Sequence, residues 1–195
     1  MKVAWLFNHY ALPPGEPGGN RHYYLARNLL NHNWKTYIIA SDVNYLTHKK
    51  ILKCKHDFFK QIIDRITFIW VKVPISKGNG IMRILSMIFY TLKVLSPSCT
   101  RKLPFPNLIV GSSVHPFAAL SACIIANRLN VPFIFEVRDL WPETLVAYKK
   151  IKQNGIICSL LRILEKHLYT NASKIIVTLP NASEYITSLG INKNK

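Results

Sequence analysis

Six short apolar runs, each rich in β-branched or aromatic residues, recur along the chain: KVAWLF (2–7), KTYIIAS (35–41), ITFIWVKV (66–73), NLIVGS (107–112), PFIFEV (132–137) and KIIVTL (174–179). Strands that are apolar nearly throughout must be covered on both faces, and that is the signature of a parallel sheet wrapped in helices. Most of the intervals have room for a helix. RHYYLARNLLNH (21–32), PFAALSACIIANRL (116–129) and GIICSLLRILEKHLY (155–169) space their apolar residues at helical period. A last helix is expected to begin at Asn181 and Glu184, in capping-box spacing, and to stop at Gly190. Alternating strands and helices predict an α/β fold, a doubly wound, mostly parallel sheet. With 195 residues, 49% of them hydrophobic, the chain has material for a single domain over 1–195.

Two segments fit this alternation less well. Residues 42–65 set many Lys and His between short apolar clusters and suggest a mobile basic excursion off the core. The longest apolar run, IMRILSMIFYTLKVL (81–95), contains Arg83 and Lys93 and is too short for a membrane span, which needs ~20 residues. It reads either as a core helix or, because its polar face is so thin, as a helix pressed into a membrane interface.

The charge is strongly unbalanced. Residues 46–102 carry twelve basic and two acidic side chains, a net of +10. Such a field suits nucleic acid or an anionic membrane surface. The cations are threaded through apolar sequence, and no helix-turn-helix, RRM, KH or zinc-finger pattern is present, so nucleic acid is not the expected partner. Cys54, Cys99, Cys123 and Cys158 are scattered, with no CxxC pair and no His at zinc spacing. They read as reduced, mostly buried thiols in a reducing compartment, and no metal is expected. VAWLF is too brief for a secretory h-region, so no cleaved signal is expected, and the sequons at Asn171 and Asn181 read as incidental.

Ligands of open α/β sheets bind beyond the carboxyl ends of the strands, so the residues directly after each strand are informative. After the first comes NHYALPPGEPGGNRHYY, whose Gly15, Gly18 and Gly19 precede a helix start. They are either a flexible turn or backbone N–H groups free to approach an anion, with Arg21 beside them as an ordinary helix-start residue or an anion contact. After the fourth comes SSVHP, with Ser112, Ser113 and His115. His115 is either a residue before a helix-starting proline, satisfied by backbone, or a hydrogen-bonding or acid/base group at a sugar hydroxyl. After the fifth comes FEVRDLWPE (135–143). Glu136, Arg138 and Asp139 there are either an ion-pair cluster that stitches loops or groups that a ligand's hydroxyls help to satisfy. Trp141 and Pro142 would be packing that fixes the loop, with Glu143 solvated or capping the next segment.

GGNRHYYLARNLL, GSSVHPF and FEVRDLWPE, in this order and spacing, resemble the N-terminal half of glycosyltransferase family 4 enzymes, most closely bacterial sugar transferases of cell-surface polysaccharide assembly. The similarity runs along essentially the whole chain. It implies the N-terminal, acceptor-binding half of a GT-B fold, in which two Rossmann-like domains face across a cleft and the second binds the nucleotide-sugar donor. It further implies transfer with retention, no obligatory metal and no cofactor beyond the nucleotide sugar as co-substrate. By that analogy Gly18, Gly19 and Arg21 lie near the donor phosphates, with Ser113 at the same rim. His115 contacts the transferred sugar, and Glu136, Arg138 and Asp139 line the acceptor side, His115 and Asp139 being the catalytic candidates. In a front-face mechanism the acceptor hydroxyl attacks from the side the diphosphate leaves, and no side chain acts as a covalent nucleophile.

One departure stands out. The family's donor site carries two glutamates eight positions apart, and no two acidic residues of this chain have that interval. The C-terminal donor-binding domain is therefore expected to be absent, through truncation or because a separate chain supplies it as the other subunit of a split transferase. The basic stretch then acquires a purpose: holding the domain on the cytoplasmic, inner face of a bacterial membrane beside a lipid-linked glycan acceptor. The competing reading is a non-catalytic membrane-surface or glycan-binding module.

Overall fold

The computed structural model describes residues 1–52, 55–76 and 80–195. Cys54, read as a thiol, and Lys53 and Lys77 of the basic stretch lie outside the described residues. In chain order the elements are β1 (Lys2–Phe7), α1 (Arg21–Asn31), β2 (Trp34–Ser41), β3 (Val43–Asn44), β4 (Lys49–Lys50), β5 (Phe58–Ile63), β6 (Ile66–Val71), α2 (Ile81–Leu95), α3 (Pro97–Thr100), β7 (Leu108–Ser112), α4 (Pro116–Leu129), β8 (Phe133–Val137), α5 (Glu143–Ala147), α6 (Ile156–Asn171), β9 (Lys174–Val177) and α7 (Ala182–Ser188). Seven strands form one sheet in the order β5-β6-β2-β1-β7-β8-β9. Every neighbouring pair is parallel except β5 with β6. The six parallel strands thus take the Rossmann order expected of the sequence pattern.

Strand side chains alternate between two apolar cores, as the pleat requires. Trp5 and Phe7 of β1 join Tyr37 and Ile39 of β2 in the larger cluster, under α2, α4 and α6. Ala4 and Leu6 join Ile38 and Ala40 in the smaller one, against Tyr23 and Ala26 of α1. Helix and sheet approach closely at Gly111 of β7. A Cβ there would stand 2.8 Å from the Ala122 methyl and 3.0 Å from both the Ala119 Cα and the Phe133 ring. Only a residue without a side chain lets α4 lie this low on the strand.

Three expectations need correction. The segment 42–65 is no loose excursion: Asp42 takes Lys50 Nζ at 2.7 Å and also accepts from the Val73 N–H. The β3–β4 hairpin comes next, and β5 then pairs antiparallel along the whole of β6. A half-exposed edge strand needs only occasional apolar residues, so β5 lacked the continuous apolar signal of its neighbours. Asn181 does not cap α7 through its side chain. It adopts φ +60°, the left-handed region that asparagine tolerates, and the capping box does not form. β9 is an edge strand with Ile176 and Val177 half exposed, not a strand buried on both faces. Among the described residues Cys99, Cys123 and Cys158 are free and buried.

The core-helix reading of α2 holds for one face of the helix. Ser86, Met87, Tyr90 and Val94 are buried, and the Tyr90 hydroxyl donates to the Ile39 carbonyl at 2.7 Å, riveting the helix to β2. Ile81, Ile84, Ile88, Phe89 and Leu92 nevertheless point into solvent. No helix among the described residues is long and apolar enough to cross a membrane.

Candidate functional site

The sheet's switch point lies between β1 and β7, where the chain winds outward in opposite directions and leaves a crevice over the carboxyl ends. Asn8, His9 and Tyr10 emerge there from β1, Ser113 to His115 from β7, and Arg138 and Asp139 from β8. Three of the segments singled out in the sequence therefore meet at one rim.

Glu136, at the end of β8, is almost fully buried and is met by protein groups. Arg21 Nε donates to its Oε1 at 2.8 Å, and His22 Nε2 stands 3.0 Å from its Oε2. The tautomer of His22 is set by its neighbours. The Tyr10 N–H donates to Asn8 Oδ1 at 2.9 Å, so the Asn8 amide nitrogen is the group 2.8 Å from His22 Nδ1. That ring nitrogen accepts, which leaves the proton on Nε2, in close contact with the carboxylate but without hydrogen-bond geometry. Burial alone would raise the Glu136 pKa, but the His22 ring, Arg21 and the Ser112 hydroxyl outweigh it and hold the carboxyl well below the usual range. The charges of the FEVRDLWPE segment thus part company. Glu136 clamps the start of α1 to the sheet, and its negative charge complements a helix end that has no acidic residue in its first turn.

The imidazoles of His9 and His115 are arranged differently. Both are buried, their rings 4.8 Å apart edge to face, in an aromatic nest with Tyr10 and Tyr90. His115 is the N-cap of α4 and its Nδ1 accepts from the Ala118 N–H at 3.2 Å. The backbone-satisfied reading is thus right for one nitrogen. The other, Nε2, carries the proton and has no hydrogen-bond partner, and His9 Nδ1 is likewise without one. His9 Nε2 reaches only the Ser86 hydroxyl, at 3.5 Å. Burial, then the nearby Arg83, lowers the His115 pKa to about 3; burial, His115 and Arg83 lower that of His9 well below its ordinary value. Both rings are therefore neutral near pH 7. What they offer is an N–H donor and a lone pair rather than a cation. Over them lies Tyr10, with the Arg83 guanidinium 5.5 Å from its ring centroid and Arg83 Nε donating to its hydroxyl at 3.3 Å.

Ser113 shapes the β8 loop from within. Its hydroxyl accepts from the Arg138 N–H at 2.8 Å and the Asp139 N–H at 3.2 Å and donates to the Asp139 carbonyl at 3.1 Å. Its own carbonyl takes the Trp141 indole N–H at 3.0 Å, so Trp141 does fix the loop. Glu143 is not simply solvated: it opens α5 and pairs with Arg162 at 2.9 Å. Asp139, with Ser113, Pro116, Trp141 and Glu165, lines a cavity of about 10 Å³, room for one water. Burial raises the Asp139 pKa against the pull of Arg138 and Arg83. Burial also lifts Glu165 to about 7, despite hydroxyl donation from Tyr185 at 2.9 Å and Tyr169 at 3.1 Å. His115 and Asp139 accordingly share one side of the molecule, joined through Pro116.

The glycine loop folds back on itself, the Leu12 N–H donating to the Gly19 carbonyl at 3.0 Å. Gly18 has φ +132° and a Cβ there would meet Leu12 Cδ1 at 2.7 Å, so glycine is required on both counts. The loop is moored to the β3–β4 hairpin by Asn44, whose amide donates to Glu16 and to the Pro17 carbonyl. Arg21 keeps about half its surface in solvent beside this loop. His9, His22, Arg83 and Tyr90 were not singled out in the sequence. His9 had a signal, a polar residue directly after a carboxyl-terminal strand end, whereas Arg83 and Tyr90 come from a helix whose apolar run concealed them. Among the described residues no group of His, Cys, Asp or Glu is arranged to hold a metal ion.

No protein-family model matches this chain, and no curated protein matches it in sequence. Among solved structures, sucrose-phosphate synthase from Thermosynechococcus elongatus superimposes with a TM-score of 0.64 at 13% identity, over 96% of this chain and 45% of that one. The chain thus spans less than half the length of that neighbour. At this identity the likeness shows a shared fold alone: a Rossmann-like α/β sheet that matches the N-terminal half of that GT-B neighbour.

Proposed function

We propose that this chain is the acceptor-side half of a retaining glycosyltransferase, akin to family 4, that moves a sugar from a nucleotide-sugar donor to a lipid-linked glycan in cell-surface polysaccharide assembly. The observation that carries the reading is the partnerless Nε2–H of buried His115, beside His9 and across Pro116 from Asp139, at the switch-point crevice. A neutral donor held there by an N-cap bond suits a sugar hydroxyl or a developing oxyanion and needs no reorganisation when the reaction occurs. The bond from the anomeric carbon to the diphosphate breaks, the bond to the acceptor oxygen forms, and the acceptor's proton leaves with the diphosphate. Asp139 orients the acceptor, Arg138 lies beside it, and Gly18, Gly19, Arg21 and Ser113 shape the donor-facing rim. The donor itself needs a second domain, in the same polypeptide or as a separate chain.

On this reading the protein works at the inner face of the membrane, seated by the outward apolar side of α2 among its cations. No acidic residue occurs between Asp64 and Glu136, which favours an anionic bilayer as the counterpart. The same surface favours one alternative, a non-catalytic module that binds membrane or glycan. Reconstitution with a donor-binding domain, followed by transfer from a nucleotide sugar, separates the two: turnover that depends on His115 supports the enzyme, and its absence with every donor leaves the module.

A further inference from the structure

A second apolar and cationic surface lies at the junction of α5 and α6, far along the chain from α2. α6 turns Cys158, Glu165, Leu168 and Tyr169 inward and leaves Ile156, Ile157, Leu160 and Ile163 in solvent, each at least 60% exposed. Positions 156, 160 and 163 fall on one helical stripe, with 157 beside them. Just upstream Tyr148 is 73% exposed, and Lys149, Lys150 and Lys152 are exposed with it. Between Thr144 and Asn171 the single acidic residue is Glu165, which is buried, and Glu143 at the border is held by Arg162. The surface is therefore an apolar stripe with an aromatic at its end, rimmed by cations that no anion answers.

Its place in the fold gives it a direction. α2 and α6 both pack on α4. In a parallel sheet, the helix after each strand starts at the carboxyl edge, so α2, α4 and α6 all begin at the rim that carries the site. The exposed start of α2 (Ile81, Ile84) and that of α6 (Ile156, Ile157) flank the N-terminus of α4, where His115 sits.

We infer that the α5–α6 junction is a second contact for an anionic lipid surface, and that with α2 it sets the crevice against the headgroups. This rests on the membrane part of the function proposed above. Charge selects the occupant: a second copy would bring the same lysines, and a net +17, against this one. Lipid takes the stripe into its acyl boundary while the lysines and Tyr148 stay at headgroup level.

The test is co-sedimentation of the whole chain with phosphatidylcholine vesicles, with and without phosphatidylglycerol. Lys149→Gln, Lys150→Gln and Lys152→Gln together should lower partitioning to the anionic vesicles about 100-fold, at about a fivefold loss for each charge. Ile157→Ser with Leu160→Ser should lower it on both vesicle types, and circular dichroism confirms folding. Parent-like binding by both α6 variants, with loss only in Ile84→Ser/Leu92→Ser, would overturn the second contact and leave α2 in place. Binding unchanged in all of them would remove the membrane reading itself. A concentration-dependent mass that Ile157→Ser/Leu160→Ser abolishes, with vesicle binding intact, would assign the stripe to a second copy and overturn the inference.

Discussion

Two polar clusters share the carboxyl edge of the sheet, and they are built on opposite terms. Around Glu136 the carboxylate's charge is met by a hydrogen bond from Arg21 and by close contact with His22 short of a hydrogen bond, and His22 is in turn fixed by Asn8. Around His115 and His9 two imidazoles are packed as closely as core side chains, yet each keeps a nitrogen with no hydrogen-bond partner. A cluster that answers its own charges holds elements together. One that buries a donor and leaves it unanswered retains a cost, since an unsatisfied buried polar group is unfavourable by about 1–3 kcal/mol. On the proposed function a ligand relieves that cost, which makes the neutral cluster the candidate site and the charged cluster its scaffold.

The hardest way to break this contrast is at Glu136. Glu136→Gln should destabilise the fold by about 2–3 kcal/mol, because it replaces a buried carboxylate that takes a charged hydrogen bond from Arg21 and faces His22. Urea unfolding at neutral pH measures this, and a change under about 1 kcal/mol would demote the clamp to an ordinary surface contact. The native pKa lies below that of the unfolded chain, so the contribution is complete above the ordinary carboxylate range and is lost as pH falls through and below it. The variant should accordingly show a shallower loss of stability in acid.

His115→Asn should do the reverse. Asparagine can still cap α4, so unfolding should move by no more than about 1 kcal/mol, while turnover in a reconstituted enzyme falls on the order of 100-fold. Full turnover in a folded variant would move the site elsewhere.

Glu165 sharpens the comparison from a third side, being a buried carboxyl that meets hydroxyls where Glu136 meets cations. Its native pKa of about 7 lies above that of the unfolded chain, so its contribution is present in acid and is lost as pH rises toward 7. Glu165→Gln should flatten that slope by about 2 kcal/mol across the interval. Identical pH profiles for variant and parent would place the carboxylate in a wetter setting than its burial implies. The smallest effect belongs to Arg21, half exposed: Arg21→Ala should cost under about 1 kcal/mol of stability. If it instead raises the KM for the nucleotide sugar severalfold, the exposed part of the guanidinium belongs to the donor side.

The parallel sheet was legible because burial on both faces demands unbroken apolar runs, and each of the six gave rise to a strand. β5 was not legible: an edge strand meets only one neighbour and can alternate loosely. The crevice could be located from the polar residues directly after each strand, which brought forward His115, Asp139 and the glycines. Their roles were less accessible. Whether Glu136 serves a ligand or its neighbours depends on where α1 lands, and nothing local to FEVRDLWPE encodes that. His9 carried the signal of its place just past β1, but its pairing shows only once its ring is seen against His115, more than a hundred positions away in the chain.

The bare backbone at Gly111 sets a mechanical tolerance for the candidate site. Three residues separate it from His115, and the intervening chain is too short and too well tied to absorb an offset. Even one methyl wedged beneath α4 would tilt the helix and hand the displacement on to the imidazole at its tip, so Gly111→Ala would detune the site from below without touching it.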